Sequence, residues 1–378
     1  MTDCEKLLRE LIAIPSVNPA FLPPGDPLAG ETRVAECLAT LARRASLDVE
    51  FEQVFPGRQN LIARLSPCGK PRRRILLAPH LDTVGQAGAA HNVYNPRSSN
   101  GRLFGRGACD TKGSVAAMFS ALLRLAKEPC QRSETEIVFV GLVDEENGQG
   151  GSRALVEKGW KADLAIVGEP TCLKVVTAHK GDLWLQLETS GKSAHGSTPH
   201  LGRNAVHEMA RIVDLLETKY AAELRQRQHP LLGHPTVNVG SIIGGSQPNI
   251  VPAQCTISID RRTIPGETER GVRREITTLL RANGLRAEFV NLRNAPCPAL
   301  ETDPTQPLVR QFLNHARQKK PEGVNYFCDA AVLSAGGIPS IVFGPGDIAQ
   351  AHTADEWISI SSLERGTDLL TRYLQLQP

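Results

Sequence analysis

Apolar residues gather in four runs of similar form: RILLAPHLD (74–82), EIVFVGLVDEE (136–146), DLAIVGEP (163–170) and IPSIVFGPG (338–346). Short uninterrupted runs rich in Val, Ile and Leu read as strands covered on both faces. Between them the period lengthens, as in SVAAMFSALLRLAK (114–127), and strands alternating with helices predict an α/β sheet flanked by helices. The opening MTDCEKLLRELIAIPS reads as an amphipathic first helix, and the Pro-rich segment 15–27 as the loop that follows it. Three of the four strand runs close on His, Asp or Glu. Ligands of an open α/β sheet bind in the crevice outside the carboxyl ends of its strands, so chemistry is expected at that edge.

The stretch from about 180 to 290 has a different texture. GDLWLQLETSG, a helix from Arg203 to about Gln226, HPTVNVGSIIGG, PAQCTISIDRR, a helix from Gly266 to about Arg281, and LRAEFVNL follow one another in the order βαββαβ. That order predicts a ferredoxin-like α+β module of one sheet and two helices, inserted into the larger domain. The catalytic domain is then discontinuous, spanning 1–179 and 291–378, with the insert at 180–290.

The length of 378 residues also favours two domains over one. No apolar run approaches the roughly 18 residues of a membrane span. Forty-three basic residues against forty acidic ones leave a net charge of +3, too balanced to argue for nucleic acid or an anionic membrane. The charged first helix lacks the apolar stretch of a signal peptide, and nine cysteines, an odd number with no CxxC pair, fit reduced thiols. A cytoplasmic protein acting on a small molecule is expected.

The candidate chemistry lies at the strand ends. In HLD, alternation puts His80 and Asp82 on one face, so the carboxylate can sit behind the imidazole; a hydrogen-bonded core histidine would look the same. Asp110 stands between glycines in GRGACDTKG, directly before a helix, where an N-cap is the bland alternative. DEE (144–146) stacks three carboxylates after an apolar strand, an unfavourable repulsion unless a cation or proton offsets it. Glu169 in GEP and His352 in AHTADE follow two further strands. Five residues of metal-ligating type at separate strand ends point to a metal centre more strongly than any one of them does.

Taken together, HLDTV, GRGACDTKG, DEE, GEPT, SAHGS, GGSQPN and AHTADE, in this order and spanning nearly the whole chain, resemble the family of two-zinc acylases and exopeptidases. That family includes acetylornithine deacetylase, succinyl-diaminopimelate desuccinylase, aminoacylase and glutamate carboxypeptidase. The resemblance implies a zinc-exopeptidase-like catalytic domain and an inserted lid or dimerisation domain. It further implies two Zn²⁺ per chain, with Co²⁺ or Mn²⁺ as substitutes. Asp110 would bridge the metals, His80 and Glu169 would complete one site, Glu146 and His352 the other, and Asp82 would orient His80.

The same resemblance assigns Glu145 as general base for a bridging hydroxide that attacks an amide. His195 would stabilise the oxyanion, supplied across a homodimer interface. Strand alternation puts Thr256, Ser258, Asp260 and Arg262 on one face, with Cys255, Ile257, Ile259 and Arg261 on the other. Arg262 would then hold a substrate carboxylate bidentately, with Asn249 and the backbone of Gly344 as further substrate contacts. AHKG (178–181), HPTVNVG (234–240), DRRTIPG (260–266) and GPGDIAQAHTADE (344–356) look most like acetylornithine deacetylase. The expected activity is therefore deacylation of an N-acyl amino acid, N-acetylornithine foremost, within arginine biosynthesis. A desuccinylase or exopeptidase of the same family is the near alternative. An inactive metal-binding scaffold is the alternative of another class, and it would have no need of all five ligands together with Glu145.

Overall fold

The computed structural model describes residues 1–86, 88, 92–128, 134–290 and 296–378. Among these the chain divides into two compact units. One comprises Met1–Thr177, Thr302–Glu322 and Cys328–Pro378, and the other Ala178–Glu301 with Gly323–Phe327.

In the first unit the four apolar runs become neighbouring parallel strands. Thr135–Gly141 pairs with Arg73–Pro79, which pairs with Leu164–Gly168, which pairs with Ser340–Val342. Arg58–Leu65 and then Asp48–Phe55 add antiparallel neighbours beyond Thr135–Gly141, so the sheet is mixed. Thr135–Gly141 and Leu164–Gly168 are buried along their whole length, as expected where helices cover both faces of a parallel sheet. Because the four central strands run the same way, the residues that follow them emerge at one edge.

The helices Asp3–Ala13, Thr32–Arg44, Lys112–Ala126 and Ile360–Gln375 place their apolar residues in the same buried cluster as these strands. Thr2 caps the first helix by accepting the Glu5 N–H. Lys112–Ala126 is buried almost all round, and its Phe119 meets Phe139 edge to face, with centroids 5.0 Å apart.

The second unit carries a four-stranded antiparallel sheet in the order Thr236–Gly244, Gln254–Thr263, Gly181–Ser190, Glu288–Val290. With a helical run over Ala205–Arg225 and a helix over Glu269–Ala282, the sequence of elements is βαββαβ. This unit has its own core, including Leu185, Leu187, Met209, Ile212, Ile257 and Ile276. Along Gln254–Thr263 burial alternates residue by residue, which sends Arg261 to the interior.

Some boundaries differ from the sequence expectation. The second helix of this unit begins at Glu269 rather than Gly266, because Gly266 takes a left-handed φ of 91° and the Thr268 side chain accepts the Gly271 N–H as the cap. The last strand of the module covers Glu288–Val290, and the rest of the predicted run, Asn291 and Leu292, lies outside the described residues. Cys68 is disulfide-bonded while seven other cysteines are free thiols, so the expectation of an all-reduced set does not hold. Among the described residues no helix is long and apolar enough to cross a membrane.

Candidate metal centre

His80 directly follows the strand Arg73–Pro79 and is almost completely buried. Its Nδ1 lies 3.0 Å from the Asp82 carbonyl oxygen and 3.4 Å from Asp82 Oδ1. With Nδ1–H donating there, Nε2 is left as the ring's lone-pair atom. Nε2 points at Asp110 Oδ1, 3.1 Å away, and at Glu169 Oε1, 3.8 Å away.

Asp110 precedes the helix Lys112–Ala126, and its second oxygen faces the other way, with Oδ2 3.3 Å from His352 Nε2. His352 Nε2 is also 3.0 Å from Glu146 Oε2. The donors therefore fall into two groups that share Asp110: His80, Asp110 and Glu169, and Asp110, Glu146 and His352. Within each group the ligand atoms lie within 4.8 Å of one another.

Electrostatics show why such a cluster calls for cations. Burial, first, raises the Glu169 carboxyl well above its ordinary value, with Asp110, Asp329 and Glu146 adding to the effect of burial against the pull of His80. Glu146 is pushed up to about 7 by burial and by Asp110. The hydrogen bonds of His352 to Asp110 and Glu146 lift it to about 10. Among the described residues, one buried oxygen on each of two glutamates, Glu146 Oε1 and Glu169 Oε1, finds no hydrogen-bond partner. Buried carboxylate oxygens are rarely left so. Orphaned oxygens, two imidazole nitrogens and a shared carboxylate form a donor set suited to a pair of divalent cations.

Glu145 is also buried beside this cluster. Its carboxyl stands well above the ordinary range, chiefly through burial, with Glu169, Asp329 and Glu146 adding to it while His80 opposes. Asp82 does more than back His80. Its Oδ1 accepts the Glu145 main-chain N–H at 3.1 Å and its Oδ2 the Glu146 N–H at 3.1 Å. Burial works against its charge, but His80, Asn18 and the Glu146 N–H together hold its carboxyl below the ordinary range.

Sequence reasoning missed the layer behind Asp82. Asn18, fully buried, donates its Nδ2 to Asp82 Oδ2 at 2.7 Å and to Asp144 Oδ1 at 3.0 Å. Asp144 is in turn held by Arg58, 3.0 Å away, whose guanidinium also grips Glu31. The only available signal for Asn18 is an amide in a Pro-rich loop, which carries no pattern.

The remaining candidates are placed as follows. Gly344 donates its N–H to Thr171 Oγ1 at 3.1 Å, and its carbonyl accepts from Leu173. Its backbone is thus spent on the GEPT loop rather than offered to substrate, and an added Cβ would collide with Ser114 Oγ. His195, Asn249 and Arg262 all belong to the second unit. His195 is exposed, and its Nδ1 accepts the Ser197 main-chain N–H at 3.1 Å, with Ser197 Oγ 2.7 Å away. In the neutral ring the proton then resides on Nε2, which makes the outer nitrogen a donor. Asn249 is the neighbouring backbone: its carbonyl accepts the Gly196 N–H at 2.7 Å. Arg262 shares a strand face with Asp260 and donates to it from Nε and Nη2 at 2.8 and 2.9 Å, with Asp182 Oδ1 3.6 Å from Nε. Asp329 is buried near the cluster, its Oδ1 accepting from Ser152 Oγ at 2.5 Å.

Residues 76–376 match the model of peptidase family M20/M25/M40. The chain belongs to this family. It is 32% identical to an acetylornithine deacetylase of Vibrio cholerae serotype O1, over 92% of this chain and 92% of that relative. The M20 fold extends over the whole molecule: an M20 family metallo-carboxypeptidase, Sso-CP2, from Sulfolobus solfataricus superimposes with a TM-score of 0.78 at 18% identity, covering 100% of this chain and 99% of the other. A Bacillus subtilis protein described as a dinuclear metal binding peptidase from the M20 family has a TM-score of 0.71 at 13% identity, covering 98% and 96%. As an M20 member with this donor set, the chain is a metal-dependent amide hydrolase.

Proposed function

We propose that the chain hydrolyses the amide of an N-acyl amino acid, with N-acetylornithine the first substrate to test, releasing acetate and the free amine. The observation that carries this reading is the pair of donor groups joined at Asp110 with Glu145 buried beside them. The relationship to the Vibrio acetylornithine deacetylase supports the choice of acyl amino acid.

His80, Asp110 and Glu169 would hold one Zn²⁺, and Asp110, Glu146 and His352 the second, with Co²⁺ or Mn²⁺ able to replace zinc. Bound there, the two cations would supply Lewis acidity for the amide carbonyl and acidify a water at neutral pH. Glu145 takes one proton from the attacking water as oxygen adds to the carbonyl carbon. It then delivers that proton to the amine nitrogen as the C–N bond breaks, so the pair of electrons leaves with nitrogen. Asp82 keeps Glu145 in place through the main-chain N–H it accepts. The Nε2–H of His195, from a second copy of the chain, would donate to the oxyanion. Arg262 through Nη1, with Asn249 beside the His195 loop, would receive the substrate carboxylate. In this reading the enzyme is a cytoplasmic homodimer serving arginine biosynthesis.

A second reading within the family, exopeptidase action on a C-terminal residue, is favoured by the likeness to the Sulfolobus metallo-carboxypeptidase. Amine release from a panel of N-acetyl, N-succinyl and N-formyl amino acids and of dipeptides, with zinc or cobalt added, separates the two. Preference for N-acetylornithine is the expected result, and cleavage of dipeptides alone would reject it.

A further inference from the structure

Glu356 lies four residues beyond His352 and is buried, 3% exposed. Its carboxylate is fully engaged. Oε1 accepts the N–H groups of Cys109 at 2.8 Å and Asp110 at 2.9 Å, while Oε2 accepts the Gly107 N–H at 2.9 Å and Arg106 Nη1 at 2.7 Å. The Glu356 carbonyl also accepts the Gly105 N–H at 3.0 Å, and Cys109 Sγ donates to the Asp347 carbonyl at 3.2 Å. Segment 105–110, which presents Asp110, is therefore sewn to segment 347–356, which presents His352, and Glu356 makes most of the stitches.

The two donor groups differ in what else supports them. His80 and Glu169 each follow directly on a buried parallel strand of the central sheet, paired to one another through Pro79 and Gly168. His352 has no such support. Its side chain is 55% exposed, and its backbone takes a left-handed φ of 60°, unusual for a residue with a side chain. A buried carboxylate is expensive to desolvate and is kept where its hydrogen bonds are all made, and all of those made by the Glu356 carboxylate come from segment 106–110, three from its main-chain N–H groups and one from the Arg106 side chain.

We infer that Glu356 is a positioning residue chiefly for the second metal: it fixes the Asp110 backbone against the segment bearing His352, so that the donors of Asp110, Glu146 and His352 converge, while His80 and Glu169, the other donors of the first group, stand on the strands. The inference rests on the metal-binding reading of the site and is independent of the substrate.

The test is metal titration of the chelator-stripped full chain, without substrate, using the visible spectrum of Co²⁺ and competition for Zn²⁺ with a chromophoric chelator. Wild type, Glu356→Gln, Glu356→Asp, His352→Ala and the Glu356→Gln/His352→Ala double variant are compared. In Glu356→Gln an amide N–H would face either the Cys109 and Asp110 N–H groups or Arg106 and the Gly107 N–H, so the clamp is broken at constant volume. The expected result is that one binding event weakens about 10–100-fold, the range for groups that orient metal ligands. It is the event that His352→Ala removes, and the other, which keeps His80 and Glu169 on the strands, weakens much less. Glu356→Asp, which retains the charge, should recover part of the loss. In the His352→Ala background Glu356→Gln should add nothing to the loss of that event, the mark of two residues acting on one site. The inference is overturned if Glu356→Gln leaves both events intact, if both weaken equally, or if the losses of the single variants at the His352 event simply add. Loss of amide hydrolysis with this metal pattern intact would refute the functional reading and leave the role of Glu356 standing.

Discussion

The carboxylate of Asp82 accepts the main-chain N–H groups of both Glu145 and Glu146, each at 3.1 Å. One buried side chain just beyond one strand thereby sets the position of the two acids that follow the neighbouring strand, in addition to standing behind His80. Asp82→Asn, which replaces one acceptor oxygen by a donor, should lower metal affinity and kcat together by about 10–100-fold, as loss of a ligand-orienting group does. Equilibrium dialysis with metal analysis, alongside kinetics, checks this; a fall in kcat with metal affinity untouched would restrict Asp82 to holding Glu145.

The adjacent glutamates should separate cleanly. Glu145→Gln keeps the donor set complete, so the protein should retain its metal while kcat drops by about 10²–10⁴-fold, the range for general acid–base catalysis. Glu146→Ala removes a donor and should lose metal. Metal content and turnover measured on the same preparations decide the matter, and near wild-type turnover in Glu145→Gln would rule out its role as base.

The metal-free protein should weaken as pH rises. Glu146 is raised from 4.5 to about 7 and His352 from 6.5 to about 10, so the folded state binds more protons than the unfolded chain between these values. Stability contributed by the protonated forms is complete below pH 4.5 and 6.5 respectively and is lost on passing through the folded values. Tm of the chelated protein should therefore fall progressively between about pH 5 and 10, and added metal should flatten that slope by replacing the protons. A chelated protein whose Tm is flat across this range would contradict the electrostatic picture.

The exposed His195 should act on another copy's site. Mixing His195→Ala with Glu145→Ala chains under subunit exchange should restore part of the activity that each lacks alone. Mixed dimers, verified by differential tagging and found inactive, would argue that each chain uses its own histidine.

Much of the centre was legible because it obeys a geometric rule: residues after buried parallel strands meet at one edge, so His80, Glu146 and Glu169 could be grouped before any coordinates. Alternation likewise sorted Arg262 from Arg261, and the same alternation placed Asp260 beside Arg262, which accounts for the ion pair that occupies most of its fork. Gly344 was misread because a glycine in FGPG signals close backbone approach without saying what approaches; here it is Thr171 and Ser114. Asn18, Arg58 and Glu31 were invisible, since a buried relay between loops distant in sequence leaves no periodic trace. Glu356 was read only as part of the motif around His352, although a buried carboxylate four residues past a ligand must find partners, and its partners proved to be the Asp110 backbone.

The central claim is that two metal ions, held in the two groups joined at Asp110, carry hydrolysis of an acyl amino acid. The most direct measurement is recovery of amine release from N-acetylornithine as Zn²⁺ or Co²⁺ is titrated into the chelated enzyme. Activity should be absent without metal and should rise to a plateau as the second equivalent per chain is bound. Full activity in the metal-free protein, or a plateau complete at one equivalent with the second ion without effect, would contradict the account.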